Sequence, residues 1–268
     1  MNPKYCIILF FLSCFIACTS NKFAATNRVY KKQARAFSKE IKQIPKDQFY
    51  AKRSWAGTTN FGLRKPDFVI IHHTAQNSCE QTLRTFTLPQ TQVSAHYVIC
   101  RDGTVHHMLN DYLRAWHAGV SSWGNDKDIN SSSIGIELDN NGFEPFPAAQ
   151  INSLLTLLDT LKSRYRIPTA NFIGHADIAP TRKNDPNVNF PWELLAGQGY
   201  GLWYTDTTGV CVPPNFNSLQ ALRIIGYSIK DTSAAIVAFK RHFENQDSCT
   251  IITDADKRIL YNLMQQYE

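Results

Sequence analysis

Between residues 51 and 195 strand-like and helix-like patterns alternate, and that alternation restricts the chain to an α/β layer structure. Phe68-Val69-Ile70-Ile71-His72 reads as a buried strand. Residues 94–100 and 104–109 flank Arg101-Asp102-Gly103, which predicts a hairpin turn. Residues 133–138 read as another strand. From Ile151 to Tyr165 apolar residues recur at helical spacing and stop before Pro168.

Beyond this region the pattern changes. Residues 196–214 are rich in Gly, Tyr, Thr and Pro and read as a linker. Residues 215–268 are predicted to form a small three-helix C-terminal domain. Asn217 or Ser218 can cap a helix that stops at Gly226. Asp231 can cap one carrying Ile236, Phe239 and Phe243. Thr253, with Asp256 three residues on, starts one carrying Ile259, Leu260, Leu263 and Tyr267.

The chain of 268 residues is 43% apolar and 19% charged, which excludes global disorder. Its net charge of +6 is unevenly spread. Residues 19–53 carry ten Lys or Arg against Glu40 and Asp47, and Lys4 adds one more, so the remainder is net acidic. Residues 18–50 are therefore a basic arm with two open readings. One is a solvated helix whose stripe of Tyr30, Ala34, Phe37, Ile41 and Ile44 packs. The other is attraction to anionic lipid headgroups or cell-wall carboxylates. The arm lacks interleaved stacking aromatics, so nucleic acid is not an expected partner.

The first residues read as a leader. Lys4 precedes an apolar run over residues 6–17 that is broken only by Ser13. As a helix that run rises about 18 Å, too short for a hydrocarbon core of about 30 Å. Residues 1–17 are thus predicted to be a signal peptide. The ending Phe15-Ile16-Ala17-Cys18 resembles a bacterial lipoprotein processing site, with Phe15 where Leu is usual. A lipidated Cys18 would become the mature N-terminus and anchor the protein to a membrane. The alternative is ordinary cleavage and a soluble exported protein. Of the remaining cysteines, Cys79 is expected to pair with Cys100 and Cys211 with Cys249, against the alternative of free thiols. No Cys-x-x-Cys occurs, which argues against a thiolate zinc cluster.

The histidines carry the chemistry. Neighbouring side chains in a strand point to opposite faces. His72 therefore shares a face with Phe68 and Ile70, and His73 with Val69 and Ile71. One is a site residue and the other packs. The segment from Gly174 to Pro186 holds His175, Asp177, Lys183 and Asp185, and its prolines predict a stiff loop rather than a helix. Two histidines and a carboxylate, with a fourth position open to water, make a catalytic zinc set. Glu137 shares a strand face with Ser133 and Gly135, whose small side chains leave room for a ligand. The alternative is a salt-bridged structural glutamate.

His72-His73-Thr74-Ala75, Trp116-His117-Ala118-Gly119, Ile134-Gly135-Ile136-Glu137 and the Gly174-to-Pro186 loop together resemble the type 2 N-acetylmuramoyl-L-alanine amidases, over residues 51–195. The resemblance implies a mixed central β-sheet flanked by helices and a bound Zn2+. It puts His72, His175 and Asp185 on the zinc ligands. Glu137 falls on the general base and Lys183 on the group that stabilises the oxyanion. Arg182, Trp116 and His117 fall on groove positions that touch sugar or peptide. Asn187 departs from the family, where glycine often follows the Asp-Pro, and is expected to alter turn geometry rather than metal binding. Leu219-Gln220, Gly226-Tyr227 and Ala238-Phe239 resemble a three-helix peptidoglycan-binding module.

The implied protein is a monomeric zinc amidase that cuts between N-acetylmuramic acid and L-alanine in peptidoglycan or muropeptides. Its implied place is the periplasmic side of a bacterial outer membrane, held by lipid. A non-catalytic peptidoglycan-binding protein of the same fold is the alternative. Such members typically lose a zinc ligand, and this chain keeps all three. A zinc peptidase of the commonest type is disfavoured, because no His-Glu-x-x-His is present.

Overall fold

Strand β1 (Phe68–His73) is central in the sheet and covered on both faces, which explains why its apolar run is continuous. It pairs in parallel with β4 (Ser133–Leu138) and with β5 (Phe172–Gly174). β4 also pairs in parallel with β2 (Tyr97–Ile99), and β2 pairs antiparallel with the edge strand β3 (Val105–His107). The order is β3-β2-β4-β1-β5, a mixed sheet. The predicted hairpin is β2–β3, and its turn closes on Gly103 at φ +87°.

These coordinates come from a computed structural model that describes residues 22–42, 60 and 62–267. The predicted signal peptide, Cys18 and Ile44 lie outside the described residues. Residues 1–60 and 61–268 are two compact units. The described part of the first is mainly helix α1 (Ala24–Ile41), which carries Tyr30, Ala34, Phe37 and Ile41. Among the described residues no helix is long and apolar enough to cross a membrane.

In the second unit, helix α4 (Ala148–Tyr165) covers one face of the sheet. Its Ile151, Leu154, Leu158 and Leu161 pack with Val69, Ile71, Ile134, Ile136 and Leu138. It ends at Arg166, whose left-handed backbone turns the chain before Pro168.

The C-terminal helices take the other face. α7 (Ser218–Ile225) is capped by Asn217, whose side chain accepts from the N–H of Leu219 and Gln220. Asp231 caps α8 (Thr232–Glu244), and Thr253 with Asp256 forms the reciprocal cap of α9 (Asp254–Met264). Leu222, Ile225, Phe239, Leu260 and Leu263 form one cluster with Ile70 and Ile173 of the sheet. The three helices are thus present, but residue 214 marks no break in packing. The expected linker is also partly helical, since α6 (Trp192–Gly197) runs across its start.

Cys79 opens α2 (Cys79–Thr85) and is disulfide-bonded to Cys100, with Cα atoms 5.3 Å apart. The second expected pair does not form. Cys211 and Cys249 are free, and the Cys249 thiol faces the carbonyl of Ile251.

Because one core spans the sheet and α7–α9, Leu260→Ala should cost about 2–5 kcal/mol of global stability. A chain ending at residue 214 should lose cooperative unfolding in denaturant. A truncated chain that unfolds with an unchanged midpoint would show that the helices are a separable module.

Candidate metal centre

β1 and β4 run side by side with His72 opposite Glu137 and Ile70 opposite Gly135. His72 therefore rises on the Ile70 face, and His73 goes to the face covered by α4. Beyond β5 the chain makes one helical turn, α5 (His175–Ile178), where the prolines predict plain loop. The turn is held by the backbone N–H of Ala176, which donates to the carbonyl of Asp185 at 2.7 Å. That bond brings His175 and Asp185 to the end of β1.

Three atoms converge there. His72 Nδ1 lies 2.9 Å from His175 Nδ1 and 3.0 Å from Asp185 Oδ2. His175 Nδ1 lies 3.1 Å from the same oxygen. All three residues are buried. His73 is not part of this group among the described residues.

The protons of the site follow from its outer contacts. His175 Nε2 faces the Ala118 carbonyl at 3.1 Å, which can only accept, so Nε2 donates to it and Nδ1 is left facing Asp185. Ser133 donates its hydroxyl to the Ile129 carbonyl. Its oxygen must then accept from His117 Nε2, 3.1 Å away. His117 is neutral, because burial and the neighbouring His72 push its pKa well below the ordinary value. Its Nδ1 therefore accepts from His72 Nε2 at 3.0 Å. Burial and then His175 lower the pKa of His72 to about 4, so that ring too is neutral and its Nδ1 is bare. Burial alone would raise the Asp185 carboxyl, but the adjacent His175 ring, above all, holds it well below the usual carboxylate range.

The bare Nδ1 of His72, the Nδ1 of His175 and a carboxylate oxygen thus meet within 3.1 Å of one another. A cation would satisfy such a set of donor atoms. Two imidazole nitrogens and one carboxylate oxygen suit zinc.

Glu137 is buried with its Oε1 3.8 Å from His72 Nδ1. Burial, and then the charge of Asp185, raise its pKa to about 8, while Lys183 acts in the opposite direction. Lys183 is half-buried. The space expected beside Glu137 is partly filled: a Cβ on Gly135 would lie 2.4 Å from the His117 ring.

The three groove expectations fare differently. Trp116 is 53% exposed. His117 is only 8% exposed and sits behind His72 rather than lining a groove, because both its nitrogens are used inside. Arg182 is exposed, and its guanidinium donates to the carbonyls of Val120 and Ala118, fastening the segment that carries His117. Asn130 was not foreseen. Its side-chain oxygen accepts from the N–H of His117 and Ala118 at 3.0 and 2.9 Å. Asn187 donates to the Asn140 side chain at 3.1 Å, which ties the ligand loop to the loop after β4.

The profile of the N-acetylmuramoyl-L-alanine amidase family matches residues 62–188. The chain is 35% identical to N-acetylmuramoyl-L-alanine amidase AmiD of Escherichia coli (strain K12) over 206 residues, 65% of this chain and 74% of that protein. It resembles the solved complex of E. coli AmiD with anhydro-N-acetylmuramic acid-L-Ala-D-gamma-Glu-L-Lys. That match has a TM-score of 0.68 at 28% identity, over 81% of this chain and 97% of the other. AmpDh3 from Pseudomonas aeruginosa in complex with anhydromuramic pentapeptide matches with a TM-score of 0.69 at 29% identity, over 82% and 99%.

The ligand set makes a sharp prediction. On folded protein, elemental analysis should find zinc lost in His72→Ala, His175→Ala and Asp185→Ala and kept in His73→Ala. Gly135→Ala, which touches no ligand, should also lower zinc occupancy by displacing His117. An empty site in His73→Ala with a loaded one in His72→Ala would require a different ligand set.

Proposed function

This chain belongs to the N-acetylmuramoyl-L-alanine amidase family, and from that premise we propose that it is a zinc hydrolase of the bond between N-acetylmuramic acid and L-alanine in muropeptides, anchored by lipid at Cys18. The observation that carries the metal reading is the convergence of three buried donor atoms beside a buried glutamate. A zinc ion held by His72, His175 and Asp185 would supply Lewis acidity, lowering the pKa of water and polarising the carbonyl under attack.

The chain's own groups do the rest. Glu137 takes a proton from the attacking water and returns it to the departing amine of L-alanine. Its raised pKa of about 8 makes it a stronger base than an exposed carboxylate, and a nearby dication brings that value down towards neutrality. Lys183 offers positive charge to the developing oxyanion. Trp116, exposed next to His117, offers an apolar surface to sugar or stem peptide.

The leader pattern and Cys18 support export and lipidation, with residence on the periplasmic side of an outer membrane. The protein works there as a monomer. Peptidoglycan is the natural substrate of an enzyme so placed.

Mass spectrometry of digested muropeptides tests the reaction. Free glycan plus intact stem peptide is the expected product, and cleavage within the peptide would reject the assignment. Glu137→Ala and Lys183→Ala should keep zinc and each lose ~10²-fold or more in turnover. A near-normal rate in either variant removes that residue from the mechanism. Cys18→Ser should move the protein from the membrane fraction to the soluble one. Unchanged fractionation without acyl label on the wild type would favour a soluble exported protein.

A further inference from the structure

Asp177 lies two residues after His175 in α5 and is 2% exposed. It is not one of the three converging donors. Its carboxylate accepts three hydrogen bonds from three parts of the chain. Oδ2 accepts from the backbone N–H of Gly174 at 2.7 Å and from His242 Nδ1 at 2.7 Å. Oδ1 accepts from the Tyr227 hydroxyl at 2.8 Å. Gly174 ends β5, Tyr227 follows α7, and His242 is in the last turn of α8.

Both C-terminal donors are themselves fixed. The His242 ring stacks on Trp192 with centroids 3.9 Å apart and planes 14° apart. The same indole leaves no slack at Gly174, where a Cβ would lie 3.1 Å from it. Tyr227 meets Trp123 edge-on at 4.9 Å. Gly226 precedes it at φ +136°, with its carbonyl bonded to the N–H of Gly124 at 2.8 Å. Tyr227 and His242 are 2% and 4% exposed. Burial and then Asp177 raise the Tyr227 pKa well above its ordinary value, so its hydroxyl stays a donor.

The α5 turn therefore has two handles. Ala176 holds it to Asp185 through the backbone, and Asp177 holds it to the C-terminal helices through its side chain. We propose that Tyr227 and His242 are positioning residues for the amidase reaction, which through Asp177 fix the turn that presents His175 and Asp185. The inference rests on the reading of His72, His175 and Asp185 as zinc ligands. It makes the C-terminal helices part of the catalytic apparatus. Hydrogen bonds that orient the ligands of a metal are typically worth 10- to 100-fold in affinity or activity.

The test uses the full chain with four variants. Tyr227→Phe removes one buried hydroxyl, and His242→Leu removes the other donor. His242→Asn can keep an N–H near the position of Nδ1. Leu263→Ala weakens the same helical layer away from Asp177. Zinc affinity is read by chelator competition, turnover on a soluble muropeptide, and loop order by hydrogen exchange over residues 174–186 in zinc-stripped protein.

Tyr227→Phe and His242→Leu should each weaken zinc binding about tenfold or more, with kcat reduced, KM within about twofold, and faster exchange confined to 174–186. His242→Asn should recover most of the loss. Leu263→Ala should lower the melting temperature without these changes. Zinc affinity and exchange within about twofold of wild type in Tyr227→Phe would overturn the proposal. So would a Leu263→Ala variant that reproduces them at an equal loss of melting temperature. If His242→Leu does not fold, Tyr227→Phe alone carries the decision. A wild-type chain that binds no zinc would reject the metal reading instead. Exchange over 174–186 still judges the clamp in that case, and no acceleration in Tyr227→Phe would sink it.

Discussion

The site depends on the register between β1 and β4. Parallel pairing sets His72 opposite Glu137 and Ile70 opposite Gly135, on one face. A slip of one residue would send every side chain of β1 to the other face. Val69 and Ile71 would leave the cluster they share with α4, and His73 would replace His72. The apolar core thus enforces the register that the chemistry uses. Gly135 adds a second condition. Only a residue without Cβ lets the His117 ring lie against β4 and reach His72 from behind.

That contact has an electrostatic consequence. The chain from the Ile129 carbonyl through Ser133 and His117 to His72 gives each proton a single place. It leaves His72 Nδ1 bare at the point where His175 Nδ1 and Asp185 Oδ2 arrive. The tautomer is decided three residues away from that atom, by a backbone carbonyl that can only accept. Buried polar groups are costly unless all are paired. Here each outer partner is in place, so the remaining imbalance is concentrated at one spot, where a cation would resolve it. The same burial that lowers the His72 pKa raises that of Glu137, although the two side chains lie within 4 Å.

Much of this was legible in the sequence. Strand alternation separated His72 from His73 before any fold was known. The cap residues Asn217, Asp231 and Thr253 each start the helix they announce. The inward setting of His117 depends on a ring laid over Gly135 and on Asn130, contacts that local pattern does not encode. The pair Ser133 and Gly135 on the Glu137 face was the available signal, since small residues on a buried strand admit a neighbour as readily as a ligand. The Cys211–Cys249 expectation rests on parity and on pairing within each predicted domain, and neither carries geometry. The placement of α7–α9 was missed for a reason that could have been reasoned through. An apolar run such as Phe68 to Ile71 needs cover on both faces, and only one long helix, ending at Tyr165, was predicted within the catalytic region.

That missing cover changes how the C-terminal helices are understood. α8 is buried along most of its circumference: Ile236, Phe239 and Phe243 enter the core, and His242 meets Asp177. Lys240, 2% exposed, is neutralised inside by Asp256 at 2.6 Å and Glu244 at 3.5 Å. A helix so enclosed has little surface left for a polymer. Any contact between this layer and cell wall must fall on outer faces such as that of α7, where Gln220, Arg223 and Ile224 are exposed. The work of the three helices in this fold begins with closing the sheet.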